Sequence, residues 1–319
     1  MPRGMVRSAL DSMNMVVAAR RHYLEKATKS EIADELGVSR FKVARMLDEA
    51  VERGIVTFEI HSPTDVDLDL SLAIASAYGL RQALVLTLPD GPEDFRRAQL
   101  GRASAAALGS LIEEGDVVGV AWGRTLHAMV TSLPPLARCT VVQVVGSIPT
   151  SDLSVSSLDL ARTMAERADG EVRALQVPMV VDSAQTASRL RDDPFVAATV
   201  DCFDHLDRAI VSVGAWREDQ SALAAALPVD LRQSIVAAGA CADICSTVLD
   251  ADGRPVASDL VDRSISITTD QLRRVPDVTA IVGGGQERAP AIHAALRSGL
   301  VHRLITDVHT ARVLADLPR

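Results

Sequence analysis

The spacing of apolar and polar positions changes character once along this chain, near residue 62. Before that point the apolar residues recur at helical intervals. Met15, Val16, Ala19 and Tyr23 form one stripe over residues 14–26. Thr28 and Glu31 stand at capping-box spacing ahead of a short helix over 30–36, with Ile32, Ala33 and Leu36 inward. Gly37 follows the last turn, where a left-handed residue is cheapest. Val38 plugs the corner, and Ser39 N-caps a helix over 40–53 that buries Val43, Ala44, Met46, Leu47 and Ala50. Residues 55–60 alternate at period two and predict a wing strand, and 61–64 read as a linker.

This spacing is that of a helix-turn-helix. Ala33 is small where the two helices cross, Gly37 makes the turn, and Val43 packs back onto the first helix. The outer side of the second helix carries Arg40, Lys42 and Arg45 with no acid before Asp48, which suits a major groove. Phe41 is placed to touch a thymine methyl. The candidate DNA contacts are Lys29, Ser30, Ser39, Arg40, Phe41, Lys42 and Arg45. The plainer alternative is a helical hairpin with a solvated basic face.

Beyond residue 62, short apolar runs alternate with amphipathic stretches, the pattern of α/β architecture. Strands are expected over 82–86, 116–121, 140–145, 172–177, 208–213, 244–249, 264–267, 278–282 and 303–306. Helices fall between them, for instance over 93–112, 157–167, 287–297 and 308–317. Two domains follow, 1–62 for DNA binding and 63–319 for the α/β body.

Open parallel sheets bind ligands beyond the carboxyl ends of their strands, so the residues just after strands matter most. Four such places stand out. Trp122-Gly123-Arg124-Thr125 offers a glycine turn, a helix N-terminus, a hydroxyl and a permanent charge, a set that suits phosphate, or else it is only a turn. Gln143 to Ser147 brings polar groups and a glycine to another strand end. Gly239 to Asp243 ends in an acid that could accept hydrogen bonds from sugar hydroxyls or cap a turn. Gly283-Gly284-Gly285, with Arg288 after it and Asp307 22 residues beyond Gly285, invites a nucleotide reading. Against that, Arg288 stands where the last glycine of the dinucleotide fingerprint belongs.

Charge sharpens the division. The net charge of −9 is unevenly spread: residues 1–62 hold 10 basic and 9 acidic residues, leaving 23 basic and 33 acidic for the rest. Lys26, Lys29 and Lys42 are the only lysines, which excludes a lysine Schiff base anywhere after residue 62. No apolar run approaches the ~20 residues of a bilayer span. Arg3, Arg7, Asp11 and Asn14 interrupt any export signal, so the cytoplasm is expected and no membrane partner. Cys139, Cys202, Cys241 and Cys245 make neither a disulfide scaffold nor, lacking histidines at the right spacing, a zinc site. No catalytic motif, metal site or cofactor is expected.

The order of Glu31 to Ser39, Trp122 to Thr125, Gln143 to Ser147, Gly239 to Asp243, Gly283 to Gly285 and Leu304 to Ala311 resembles the SorC-type family of bacterial sugar-responsive transcriptional regulators. The resemblance covers nearly the whole chain. It implies an N-terminal winged helix-turn-helix domain and a C-terminal Rossmann-like effector domain similar to sugar-phosphate isomerases and aminosugar-phosphate deaminases, without their catalytic duty. It also implies homo-oligomers, dimers or tetramers, on double-stranded operator DNA near genes of carbohydrate use. By that analogy Gly123, Arg124 and Thr125 cradle the effector phosphate. Gln143, Gly146 and Ser147 line the pocket, Asp243 meets hydroxyls, and Gly284, Gly285 and Arg288 complete it. Two departures stand out: Arg288 replaces the lysine of many relatives, and Ala242 replaces a glycine before the acid. The effector is then a sugar phosphate or an unphosphorylated sugar. The rival reading is a sugar-phosphate isomerase with an appended helical domain, using Asp243 or Asp307 as general base.

Overall fold

The computed structural model describes residues 12–57, 65–148, 156–217 and 220–318. They fall into two compact units, one within Met1–His61 and the other within Ser62–Arg319.

In the first unit a helix over 12–19 runs on into a π-helical turn at Arg20–Leu24. The helices Lys29–Leu36 and Arg40–Glu52 follow. Both halves of the Thr28–Glu31 capping box form: the Glu31 amide donates to Thr28 Oγ1 at 3.3 Å, and the Thr28 amide to Glu31 Oε2 at 2.8 Å. Gly37 takes φ +64°, a left-handed conformation that a side chain would strain. Ser39 then accepts the Lys42 amide at 3.2 Å as N-cap. The core is Met15, Ala18, Ala19, Ile32, Ala33, Val43, Met46, Leu47 and Ala50.

Two expectations shift here. Val16 and Tyr23 are exposed, and Ala18 joins Met15 and Ala19 inside. The wide turn at Arg20–Leu24 breaks the 3.6-residue phase for Tyr23, which lies within it. Residues 55–57 lie in bends and coil rather than in a ladder, and the remainder of the expected wing strand lies outside the described residues.

The second unit is built on a seven-stranded, wholly parallel sheet. Its strands are β1 (Gln82–Leu86), β2 (Val117–Val120), β3 (Thr140–Gln143), β4 (Val172–Arg173) and β5 (Arg208–Val211). A small antiparallel sheet consists of β6 (Gly214–Ala215), β7 (Ala242–Ile244) and β8 (Thr247–Leu249). The strands β9 (Asp277–Ile281) and β10 (Arg303–Asp307) complete the large sheet, in the order β1-β10-β9-β5-β2-β3-β4. β9 is buried at every position, as a strand covered on both faces must be.

The order contains one reversal. β2, β3 and β4 step outward to one edge; the chain then returns to lay β5 against the other side of β2 and proceeds through β9 and β10 towards β1. Connections leave β2 and β5 in opposite directions, so a crevice opens at their carboxyl ends, where such sheets bind ligands. At the opposite ends, Arg208 ties three strands together, pairing with Asp116 at 2.6 Å and Asp277 at 3.0 Å.

Residues 244–249, expected as one strand, form a hairpin instead: Cys245 adopts φ +56° between β7 and β8. Residues 264–267 make only isolated bridges, Ser266 to Val145 and Ser264 to Val180. Short apolar runs carry no label for which neighbour they will pair with.

Candidate functional site

In the first unit the second helix of the motif buries Val43, Met46, Leu47 and Ala50 and leaves Arg40, Phe41, Lys42 and Arg45 exposed. Phe41 is 87% exposed, unusual for an aromatic ring. None of the three cations has an ion-pair partner among the described residues, so their charge is available to a phosphate backbone. Ser30 and Ser39 are exposed beside them, and Lys29 is half-buried. Arg21 is different: its guanidinium pairs with Glu25 and Glu35, clamping the first helix region to the second.

In the second unit the crevice is framed by the loops after β2, β5, β9 and β10. Gly123 (φ +148°) leads into the helix Arg124–Thr131, whose N-terminus no side chain caps. Arg124 is half-exposed there and reaches Asp94 at 3.4 Å, while Thr125 is buried. A basic side chain, an uncapped helix N-terminus and the helix dipole are the groups that favour an anion.

After β5 the chain bends past Val213 and Gly214. A Cβ on Gly214 would stand 2.2 Å from Asp243 Oδ1, so this glycine is what lets the carboxylate lie against the chain. Asp243 sits on β7, buried, with a hydrogen bond from Ser221. Burial pushes its carboxyl up to about 6, against the opposing pull of Ser221 and of the Arg288 charge. Arg288 is also buried, and its Nη2 donates to Val213 O. Burial first, and then the charge of Arg97, pull its guanidinium down to about 10, so it is still a cation at neutral pH. Gln220 Nε2 donates to Glu287 at 2.8 Å, one residue before Arg288.

Six buried side-chain atoms have no hydrogen-bond partner among the described residues; Ser258 Oγ and Thr306 Oγ1 aside, four lie on the chain after β5, on β7 and on the helix after β9: Asp243 Oδ1, Arg288 Nε, Trp216 Nε1 and Gln220 Oε1. Leaving such groups unsatisfied costs about 1–3 kcal/mol apiece, which a ligand would recover. Two are acceptors and two are donors. A molecule carrying several hydroxyls, each both donor and acceptor, matches that set.

The glycine loop is built differently from a phosphate cradle. The Gly284 and Gly285 amides both donate to Thr310 Oγ1, at 3.1 and 2.9 Å. Thr310 in turn donates to Asp307 Oδ2, and Asp307 Oδ1 accepts the Thr310 amide, each at 2.8 Å. Asp307 is thus the N-cap of the helix Val308–Asp316, with each carboxylate oxygen already accepting one bond from Thr310. Gly284 (φ +131°) instead makes room: a Cβ there would lie 2.3 Å from Arg288 Cδ. Gly284 and Gly285 therefore shape the site without offering it those donors.

Gln143 and Gly146 are likewise structural. Gln143 is fully buried; its amide donates to Val145 O (2.9 Å) and Ser157 Oγ (2.8 Å), and its carbonyl accepts the Leu175 amide (2.8 Å). With both donors spent, it fastens β3 to its neighbours. Gly146 packs on the backbone of Met179, where a Cβ would be 2.7 Å away. Ser147 alone of that group is exposed.

The residues that sequence reasoning passed over are Trp216, Gln220, Ser221 and Arg97. Trp216 follows the strand expected over 208–213 and was open to the strand-end rule. The others come from helix starts and loops that no motif marks. Burial raises the thiols of Cys139 to about 11 and of Cys245 to about 12, which keeps both protonated. No cluster of three or more His, Cys, Asp or Glu able to hold a metal ion occurs among the described residues. Nor is any helix among them long and apolar enough to cross a membrane.

Residues 62–315 match the family model described as "Putative sugar-binding domain". Over 310 residues the chain is 32% identical to the uncharacterized transcriptional regulator YjhU of Escherichia coli K12, covering 93% of both chains. It is 29% identical over 304 residues to the deoxyribonucleoside regulator of Bacillus subtilis, covering 94% of this chain and 96% of that one. Its fold is similar to the crystal structure of the full-length sorbitol operon regulator SorC from Klebsiella pneumoniae. That likeness has a TM-score of 0.73 at 25% identity, over 95% of this chain and 98% of the other.

Proposed function

The chain belongs to the SorC/DeoR family of transcriptional regulators, and on that premise we propose that a phosphorylated sugar, bound at the crevice beyond β2, β5 and β9, sets its affinity for operator DNA. It is a DNA-binding regulator of transcription, and not an enzyme carrying an extra helical domain. The observation that carries the proposal is the buried pair Asp243 and Arg288, opposite in charge, each with an atom left without a partner.

In this reading the sugar's hydroxyls donate to Asp243 and accept from Arg288 Nε and Trp216 Nε1. The phosphate lies at the N-terminus of Arg124–Thr131, with Arg124 as counter-charge. Arg288 in place of a lysine supplies a forked, planar donor instead of a point charge. No lysine Schiff base holds the effector in this unit, because the last lysine of the chain is Lys42. The names of the relatives, a sorbitol operon regulator and a deoxyribonucleoside regulator, support a carbohydrate-derived effector.

Residues 1–62 act as the DNA-binding domain and 63–319 as the effector-binding and oligomerisation domain. Lys29, Ser30, Ser39, Arg40, Phe41, Lys42 and Arg45 face the operator. In a homodimer, or a tetramer made of dimers, two recognition helices about 34 Å apart would read a near-palindrome. The effector acts by population shift: it favours one quaternary arrangement, and a coupling of roughly 1–3 kcal/mol changes operator affinity about 5–150-fold.

A thermal-shift screen of the full chain against free and phosphorylated pentoses, hexoses and polyols tests this, since a ligand of the folded state raises the melting temperature by mass action. A phosphorylated sugar is expected to stabilise the chain, and Arg124→Gln to weaken that effect. Stabilisation by the free sugar equal to that by its phosphate would remove the phosphate from the reading.

A further inference from the structure

Arg97 lies just past the first turn of the helix Glu93–Gly109 and was marked by no motif. Its side chain is 10% exposed although it carries a full charge. It pairs with Glu93 and, at 2.8 Å, with Asp94. Spacings of three and four residues along one helix would explain both pairs as ordinary surface electrostatics. Three further observations point elsewhere. Asp94, 81% exposed, also reaches 3.4 Å to Arg124 on a different helix. Arg97 and Glu93 line one side of a pocket whose other side is Gly283, Gly284 and Asp307. Arg97 and Arg124 both lie close enough for their charges to act on Arg288, whose Nε is buried without a partner.

Three guanidinium groups thus converge at the carboxyl ends of the sheet, and one of the carboxylates between them is held mainly by exposed, salt-screened contacts. Building on the phosphate cradle at Arg124, we propose that Arg97 is a further anion-binding residue of the effector crevice. Asp94 is then a built-in counter-ion that holds Arg97 and Arg124 until the effector's phosphate displaces it. An exposed ion pair is weak and screened by salt. A phosphate dianion can accept two parallel N–H bonds from each arginine it meets. The exchange therefore favours phosphate, and it frees the first turn of Glu93–Gly109 from its tie to Arg124. Ligand chemistry is thereby coupled to movement of a helix end.

Binding of inorganic phosphate to the full-length chain, measured by isothermal titration calorimetry, tests this. Asp94→Asn is expected to tighten phosphate binding about tenfold, and Arg97→Gln to weaken it by about the same factor, with Arg97→Lys recovering part of the loss. Asp90→Asn removes an equally exposed carboxylate whose partner is His309, and is expected to change nothing. Circular dichroism melting confirms that each variant is folded. If Arg124→Gln weakens phosphate binding while Asp94→Asn and Arg97→Gln behave as wild type, the displacement idea falls and the cradle stands. Equal tightening by Asp94→Asn and Asp90→Asn would also overturn it, as a bulk charge effect. If Arg124→Gln leaves phosphate binding unchanged, the cradle itself is misplaced.

Discussion

The hydroxyl of Thr310 donates to Asp307 at 2.8 Å while it accepts the backbone amides of Gly284 and Gly285. One side chain thus joins the end of β10 to the loop after β9. That loop is what leaves room for the Arg288 stem.

Replacing Thr310 with valine keeps the shape and removes the bridge. Two half-buried amides and one carboxylate oxygen lose a partner, at a cost of about 1–3 kcal/mol of stability. Urea denaturation should show this lowered stability. Sugar-phosphate affinity should fall as well, because Arg288 is no longer held in place. A Thr310→Val chain with wild-type stability and affinity would mean that the loop holds its shape unaided.

Asp243 sets a pH dependence. Its folded-state pKa is raised, to about 6 from an ordinary 3.8, so the folded chain holds a proton more tightly than the unfolded chain between those values. Stability contributed by this group is therefore greatest below about 4 and declines as pH rises through about 6. Asp243→Asn should remove that slope from melting curves recorded across the interval. Effector binding should run the other way, strengthening in the wild type as the carboxylate ionises and becomes a pure acceptor. An identical pH slope in Asp243→Asn would assign the titration to another group.

The triple replacement Arg40→Ala, Lys42→Ala and Arg45→Ala should abolish operator binding in a gel-shift titration at physiological salt, leaving binding measurable only at low salt, and leave the oligomer unchanged by size-exclusion chromatography. With three fewer phosphate contacts available, the slope of log affinity against log salt should flatten by up to about 3. Retained affinity would move the DNA contact to another surface.

Arg208 makes a contrasting prediction, since it lies at the opposite end of the strands from the crevice. Arg208→Ala leaves the largely buried Asp116 without its cation, while Asp277 keeps Arg303, and should cost on the order of 3 kcal/mol of stability. Its effect on sugar-phosphate affinity should be small. A selective loss of affinity without destabilisation would show that the two ends of the sheet are coupled.

How much of this was legible in the sequence follows from the range of each interaction. The helix-turn-helix was legible nearly to the residue, because its capping box, its left-handed Gly37 and its N-cap Ser39 are contacts between residues three or four apart. Most strand positions were legible from their short apolar runs, though not the hairpin that splits 244–249 or the isolated bridges of 264–267, and the rule about carboxyl ends pointed to the edge where the proposed site lies. Spacing could not say which polar groups at that edge are free. Gln143, Gly284 and Gly285 are spent on Ser157, Leu175 and Thr310, partners 14 to 32 residues away. Asp243 comes within reach of the Arg288 charge only because a small second sheet carries β7 against β6. Local sequence determines which chemical groups arrive at the crevice, since that depends on backbone periodicity. Packing between distant segments decides which of them are left without a partner, because a hydrogen-bond donor or acceptor is available to a ligand only after the rest of the fold has failed to claim it.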